Sequence, residues 1–136
     1  LAERIHANPA GASSPEDADA NSNYVNMNFN GVDCTVDPDP YCSNTSDGPA
    51  DSCTATEMAI FDATLWMCGL SQYDGVLDTL PAGAAANVSC DDSDEDDVDD
   101  CTPGSPLQID ITWPSISEKD DNDNPVTKTV SLITVP

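Results

Sequence analysis

The strongest pattern in the chain is an amphipathic helix near its middle. This helix is predicted to begin at Thr54 or Thr56, followed by Glu57, and to run to about Leu70. Its apolar residues recur at helical spacing and predict one buried stripe: Met58, Phe61, Leu65 and Cys68, widened by Ile60 and Trp66.

A shorter helix is predicted directly after it, because the apolar spacing resumes beyond Gly69 and Ser71. Pro81 and Gly83 end this second helix. Its apolar positions are Tyr73, Val76, Leu77 and Leu80.

Strands are predicted mainly in the last third of the chain. Apolar and polar residues alternate over 107–113, which indicates a strand with one buried face that ends at Pro114. The β-branched stretch 126–135 supplies a second strand, with 115–125 as a long hairpin loop between them. Two weaker strands are predicted at 24–29 and 84–90.

A short helix is predicted to open the chain, since apolar residues lie at helical spacing up to Asn8-Pro9. Proline ends a helix because it has no amide hydrogen and restricts the residue before it. We interpret 1–12 as the end of a longer helix whose upstream part was removed, and 13–23 as an exposed connector. The 136 residues then form one α+β domain with an antiparallel sheet of three to four strands.

Charge limits the partners of this domain. Twenty-six acidic and three basic residues give a net charge of −23, so nucleic acid and anionic lipid would be repelled. Cations, basic protein surfaces and a saline habitat are compatible with that charge. No apolar run approaches the roughly 20 residues needed to cross a bilayer.

Six cysteines favour disulfide bonds and an oxidising compartment. They are Cys34, Cys42, Cys53, Cys68, Cys90 and Cys101, and they allow fifteen complete pairings. Of the individual bridges we favour Cys90 to Cys101, because it would close an acidic loop and stabilise the fold by about 3 kcal/mol. Three cysteines also make 30–53 a stapled loop. Zinc is not expected, since no Cys-x-x-Cys pair is present.

Catalysis is not expected from this sequence. The sole histidine, His6, is interpreted as a solvated cation at a helix end. The many carboxylates are predicted to stay hydrated, which leaves no general acid with a raised pKa. Phe61, Trp66 and Trp113 are predicted to be core residues and not a carbohydrate platform.

Calcium is the one cofactor that the sequence suggests. Residues 91–100 hold eight carboxylates, and 120–124 place oxygen ligands at the alternating offsets of a calcium loop. Pro125 replaces the turn glycine and Ser131 the bidentate glutamate of such loops, so the segment is not an EF-hand. The predicted ligands are Asp94, Asp96, Asp120, Asn122 and Asn124. The alternative is a pair of solvated charge runs.

Three ordered segments resemble a known family. The opening Leu-Ala-Glu-Arg-Ile-x-Ala-Asn-Pro-x-Gly is similar to the end of the long N-terminal helix in type IV minor pilins of the PilV group. Asp62-x-x-x-Trp66 with Leu80-Pro81-x-Gly83 resembles a helix of that group, and 109–113 resembles its late Thr-Trp strand. The acidic insert between Cys90 and Cys101 departs from the family pattern, as does the number of cysteines.

The resemblance implies a non-catalytic, pilin-like head that serves type IV pilus assembly or priming and tip-associated adhesion. A hydrophobic helix upstream would be its membrane anchor before assembly and part of the filament core afterwards. Implied partners are other minor pilins, the major pilin and a tip adhesin, and the implied location is the extracellular pilus after passage through the inner membrane and periplasm. Some pilin-like heads hold calcium in loops. Alternatives are a type II secretion pseudopilin, a calcium-dependent exported binding module and, more weakly, a secreted enzyme.

Overall fold

Helices pack on one face of a three-stranded antiparallel sheet. The computed structural model describes residues 1–12, 24–25, 29–43, 52–70, 73–92 and 101–136. In chain order the described elements are helix α1 (Ala2–Ala7), 3-10 turns at Pro9–Gly11 and Phe29–Gly31, helix α2 (Ala55–Cys68), strands β1 (Gly69–Leu70) and β2 (Tyr73–Asp74), helix α3 (Val76–Thr79), and strands β3 (Ala85–Cys90), β4 (Leu107–Lys119) and β5 (Pro125–Thr134). The predicted α+β class is confirmed, whereas the predicted connector 13–23 lies outside the described residues.

Helix α1 ends where the sequence predicts. Asn8 is its C-terminal cap, and its amide donates to the carbonyl oxygens of Arg4 and Ile5 before Pro9 starts a 3-10 turn. Ile5 is fully buried and belongs to the same core as the sheet residues. This helix is therefore fixed to the head by packing.

Helix α2 has its N-terminal cap at Thr54, the first of the two predicted starts, and begins with a capping box. The Thr54 hydroxyl accepts from the Glu57 amide at 3.2 Å, and the Glu57 carboxylate accepts from the Thr54 amide at 2.8 Å. These bonds satisfy two amides that a helix start otherwise leaves unpaired. Gly69, with φ +73°, ends the helix in a conformation suited to glycine.

The buried face of α2 differs from the predicted stripe. Phe61 is buried as expected, but Ile60 is 43% exposed, and Met58 and Leu65 are only half-buried. The residues that enter the core are Ala59, Ala63 and Met67, each four positions after the last. Small alanines allow α2 to approach its neighbours closely, which a prediction weighted by side-chain hydrophobicity misses.

The predicted second helix is shorter than expected. Tyr73 lies in β2, which pairs with β1 in a two-residue antiparallel ribbon, so the helix is limited to Val76–Thr79. Gly75 precedes it and lies directly against the end of α2. A Cβ atom built on Gly75 would be 2.3 Å from the Met67 carbonyl oxygen. The chain therefore turns tightly against α2 before it can resume a helix.

The sheet has the order β3-β4-β5 with both pairs antiparallel. Ala86, Ile111 and Val130 are partners across the three strands, and so are Val88, Ile109 and Leu132. These residues share the face that meets the helices. Burial is high on β3 and at the start of β4 and falls along β5, where only Thr134 is buried.

Two strand predictions were wrong in detail. β4 does not end at Pro114 but continues to Lys119, and the predicted loop 115–125 shrinks to a turn at 120–124. Beyond Thr112, β4 pairs only with β5, and a proline is tolerated on a strand with one free edge. The predicted strand at 24–29 is also not observed in the described residues, since 24–25 form a turn and Phe29 starts a 3-10 turn.

Three disulfides connect the periphery to this framework. Cys90–Cys101 is present, as predicted, and the other two bridges are Cys34–Cys68 and Cys42–Cys53. Such a set is typical of the periplasm or the extracellular space. Within the described ranges, no helix is long and apolar enough to cross a membrane.

Candidate functional site

The most unusual group in the structure is the carboxylate of Asp62, which is buried in the middle of α2. The residue is only 3% exposed. Its Oδ2 atom accepts a hydrogen bond from the Tyr24 hydroxyl at 2.6 Å, and its Oδ1 atom lies 3.3 Å from Nη1 of Arg4. Oδ1 has no hydrogen-bond partner among the residues that the structure describes, and the ion pair with Arg4 compensates its burial.

This site corrects the prediction that the carboxylates stay hydrated. Burial raises the pKa of Asp62 above its ordinary value, although the hydrogen bond from Tyr24 and the charge of Arg4 act in the opposite direction. Burial also raises the pKa of Tyr24, and the hydrogen bond to Asp62 adds to that effect. The phenol therefore stays protonated and remains a donor throughout the physiological pH range.

Asn8 extends the network to the start of α2. Its Nδ2 atom donates to the carbonyl oxygen of Ala55 at 2.8 Å and lies 3.4 Å from the Tyr24 hydroxyl. The Tyr24 amide donates to the Gly11 carbonyl oxygen at 2.9 Å. Side chains from α1, α2 and the turn at 24–25 thus meet around one carboxylate, and we call Arg4, Asn8, Tyr24 and Asp62 the junction cluster.

The junction cluster holds α1 on the head through contacts to a carboxylate that is closed to solvent. The Asp62 side chain is 1% exposed, while the Arg4 side chain reaches it from a position that is 46% exposed. A general acid must reach its substrate within hydrogen-bonding distance, and this carboxylate has no open face. Its raised pKa is a consequence of structural burial.

His6 has a partner that the sequence did not predict. Its Nε2 atom lies 2.8 Å from the Thr134 hydroxyl at the end of β5. A hydroxyl nucleophile needs a base that is itself oriented by a third group. In the part of the chain that the structure describes, the other imidazole nitrogen has no hydrogen-bond partner, so this pair ties α1 to the sheet without forming a triad.

The predicted calcium residues are only partly described. Asp120 Oδ1 accepts from the amides of Asn122 and Asn124, both at 2.9 Å, and Oδ2 accepts from the Asn124 side chain at 3.3 Å. These bonds lower the pKa of Asp120, chiefly through the Asn124 amide. These hydrogen bonds, all donated from within the β4–β5 turn, hold the turn in shape. Asp94 and Asp96 lie outside the described residues.

Metal-binding geometry is not evident elsewhere. Among residues with described positions, no group of three or more His, Cys, Asp or Glu side chains is arranged to hold a metal ion. Calcium binding by Asp94, Asp96, Asp120, Asn122 and Asn124 therefore stays a prediction. The loop closed by Cys90–Cys101 is anchored at its base, where Asp92 Oδ1 accepts from the Thr102 amide at 2.9 Å.

The predicted aromatic core is present in two places. Phe61 is buried and meets Tyr41 edge to face at 5.1 Å between ring centroids. Trp66 packs against the core and meets Phe29 edge to face at 5.5 Å. Trp113 is half-buried on the helix-facing side of the sheet. These rings are dispersed through the fold and do not form one exposed stacking platform.

A small cleft lies beside the Cys34–Cys68 bridge. It has a volume of about 240 Å³, and its remaining lining residues are Val36, Asp37, Pro38, Thr64, Leu65 and Gly69. Sequence reasoning missed the junction cluster, although a signal existed: Asp62 falls between Phe61 and Leu65 inside the predicted apolar stripe.

No protein-family model, curated protein or solved structure matches this chain.

Proposed function

We propose that this chain is the head of a type IV pilus subunit resembling the minor pilins of the PilV group, and that it acts by assembly and not by catalysis. The observation that carries the proposal is the way α1 is held. Ile5 is fully buried, Arg4 pairs with the buried Asp62, and Asn8 bonds to the first residue of α2. A helix preceding Leu1 in the full gene product would therefore leave the head in a fixed direction.

A fixed direction matters for a subunit that works through a stalk. If the upstream helix packs among other subunits, a rigid junction transmits its orientation to the head, whereas a flexible junction would leave the head free to rotate. Hydrogen bonds, an ion pair and a buried isoleucine at one short helix resist such rotation. The junction cluster is then a structural coupling between stalk and head.

The partners that we propose are other minor pilins, the major pilin and a tip adhesin. The net charge of −23 favours basic patches on those partners and disfavours nucleic acid and anionic lipid. The surfaces that we assign to partner choice are the bridged loop 30–53, the acidic loop closed by Cys90–Cys101 and the acidic segment 120–124. Priming of assembly and adhesion at the tip are both compatible with such loops.

The test has two parts, the sequence of the gene upstream of Leu1 and antibody labelling of surface filaments. We expect the codons ahead of Leu1 to encode a hydrophobic helix with a Gly-Phe-Thr-Leu-Ile-Glu-like start. An antibody raised against the 136-residue chain should then label surface filaments sheared from the native cells, and deletion of the gene should remove the label. A cleaved signal peptide directly ahead of Leu1, with antigen found only as free protein in the medium, would overturn the proposal.

A type II secretion pseudopilin would have the same stalk-and-head plan as a pilus subunit. The location of the protein in the cell distinguishes the two. A pseudopilin antigen stays in the cell envelope and is absent from sheared surface filaments. Loss of protein secretion on gene deletion, with surface filaments unchanged, would favour the pseudopilin.

A calcium-dependent exported binding module is the second candidate. The observation that favours it is the Cys90–Cys101 bridge, which confines eight carboxylates of the sequence to one closed loop. Hard cations bind by gathering six to eight oxygens. Calorimetric titration with calcium should show a heat of binding, calcium should raise the melting temperature, and a chelator should reverse the thermal shift. Absence of heat and of a thermal shift at millimolar calcium would exclude this candidate.

A further inference from the structure

The two edges of the sheet differ in their hydrogen bonds to the rest of the chain. On the β3 edge, the Asn30 side chain accepts from the Ala86 amide at 2.8 Å and donates to the Ala86 carbonyl oxygen at 3.1 Å. On the β5 edge, no backbone group from Pro125 to Thr134 has a hydrogen-bond partner outside the β4–β5 hairpin, as far as the described ranges extend. An unpaired strand edge is a template for another strand.

The same edge is apolar and free of acid. Val130 and Leu132 are 54% and 52% exposed although they lie on the face that meets the helices, and Ile133 is 67% exposed. Residues 125–136 contain no Asp or Glu in a chain that has 26 of them. The only charged side chain in this stretch is Lys128, whose ammonium group is paired with Glu118.

We propose that β5 is a self-association edge, where a second copy of this chain pairs antiparallel with β5 and joins two sheets into one of six strands. A two-fold axis near Val130, midway along β5, would bring the apolar centre of one strand onto the apolar centre of the other. Lys128 of each copy would then lie opposite Leu132 of the other, where its aliphatic stem can pack. Such an interface is self-complementary, as two-fold symmetry requires.

Charge distribution selects a second copy in this orientation. Four acidic side chains of the hairpin, Glu118, Asp120, Asp121 and Asp123, lie at one end of β5, and a fifth, Asp110, lies on β4 opposite Ser131. The other end, at 134–136, carries no acidic side chain. Antiparallel pairing places each acidic turn beside that end of the partner strand. The two turns are then separated by about 30 Å, the length of ten extended residues, which exceeds the screening length of about 8 Å at physiological salt.

The strand edge alone is smaller than a standard interface of about 800 Å² per partner, so we expect a weak dimer with a dissociation constant on the order of 0.1 mM. Because both copies carry a net charge of −23, added salt should strengthen the association. A basic partner at the same edge would show the opposite salt dependence, since salt screens attraction between opposite charges. The sign of the salt effect therefore identifies the occupant.

The test is sedimentation equilibrium of the 136-residue chain from micromolar to millimolar concentration, at low and at high sodium chloride. We expect a monomer–dimer equilibrium that tightens with salt. Val130→Asp should weaken it about tenfold or more, because two carboxylates would be buried next to each other at the axis. Ile133→Asp, a second edge variant at a more exposed position, should also weaken it.

Ile116→Asp is the matched control. It adds the same charge at an apolar residue that is 88% exposed, but on β4 and away from the β5 edge. Its dimerisation should equal that of the unmodified chain, and thermal unfolding should show that all variants are folded. A monomer at every concentration and salt would overturn the proposal. Equal weakening by Ile116→Asp and Val130→Asp would also overturn it.

Discussion

The hydroxyl of Tyr24 donates a 2.6 Å hydrogen bond to the carboxylate of Asp62, and both residues are buried. Thirty-eight positions separate them in the sequence. The bond joins the turn at 24–25 to the middle of α2, beside the point where Arg4 reaches the same carboxylate from α1. The stability of the α1 junction should therefore depend on the phenolic hydroxyl as much as on apolar packing.

We expect Tyr24→Phe to lower the free energy of unfolding by about 1–3 kcal/mol, because it leaves a buried carboxylate oxygen without its donor. Urea denaturation followed by circular dichroism measures this loss. In an Asp62→Asn background the same substitution should cost less, since the charged acceptor is already gone. Additive losses in the double variant would show that the two side chains are not coupled.

The buried carboxylate also predicts a sign for pH dependence. Burial raises the pKa of Asp62 above its ordinary value of 3.8, so the folded state holds this proton more tightly than the unfolded chain. The contribution of Asp62 to stability is then greatest below pH 3.8 and declines as pH rises through the folded-state pKa. The free energy of unfolding of the unmodified chain, minus that of Asp62→Asn, should fall across this window and become constant above it.

Asp120 supplies the matched control with the opposite sign. Its pKa is lowered, first by the Asn124 amide, so the ionised form is favoured by folding. Its contribution is present above pH 3.8 and is lost as pH falls through the folded-state pKa. The corresponding difference for Asp120→Asn should therefore rise with pH. Equal slopes for the two variants would contradict the assignment of Asp62 as the carboxylate that burial destabilises.

Short sequence signals predicted those features of the fold that depend on only a few neighbouring residues. The start of α2 was predicted at Thr54 or Thr56 and its cap lies at Thr54, and the end of α1 at Asn8-Pro9 was predicted from the proline. The Cys90–Cys101 pair was predicted because it closes the acidic loop between the two cysteines and removes loop entropy from the unfolded chain. The alternation from Leu107 to Trp113 likewise marks β4, since one side of that strand is buried.

Other features depend on tertiary context and could not be predicted in this way. Pro114 ends a strand only if a neighbouring strand lies where the missing amide would donate, and the sequence does not say that β3 stops pairing at Thr112. Ala59 and Ala63 face the core because of how closely α2 approaches its neighbours, which hydropathy does not report. Asp62 is buried because Arg4 and Tyr24, both distant in sequence, supply its partners.

Gly75 tests the close contact between α2 and the start of α3. A Cβ atom there would lie 2.3 Å from the Met67 carbonyl oxygen and 2.5 Å from the Cys68 carbonyl carbon, and backbone atoms cannot rotate away. We expect Gly75→Ala to destabilise the chain by about 1–3 kcal/mol or more through overpacking. Gly104→Ala is the control, since no atom lies within 4 Å of that Cβ position and the only cost is its φ of +92°. A smaller loss of thermal stability for Gly75→Ala than for Gly104→Ala would contradict the contact.

The three disulfides predict a graded series of stabilities. Cys34–Cys68 spans 34 positions and fastens the segment after Phe29–Gly31 to the end of α2, whereas Cys42–Cys53 and Cys90–Cys101 each span 11. The chain-entropy relation assigns about 4 kcal/mol to the longer loop and about 3 kcal/mol to each shorter one. Paired cysteine-to-alanine variants, compared by urea denaturation, should therefore show the largest loss for Cys34→Ala/Cys68→Ala. The two shorter loops form a matched pair for chain entropy, so a difference between them measures the packing of each bridge. A Cys34–Cys68 variant no less stable than the other two would mean that this segment is already ordered in the unfolded chain or held by contacts other than the bridge.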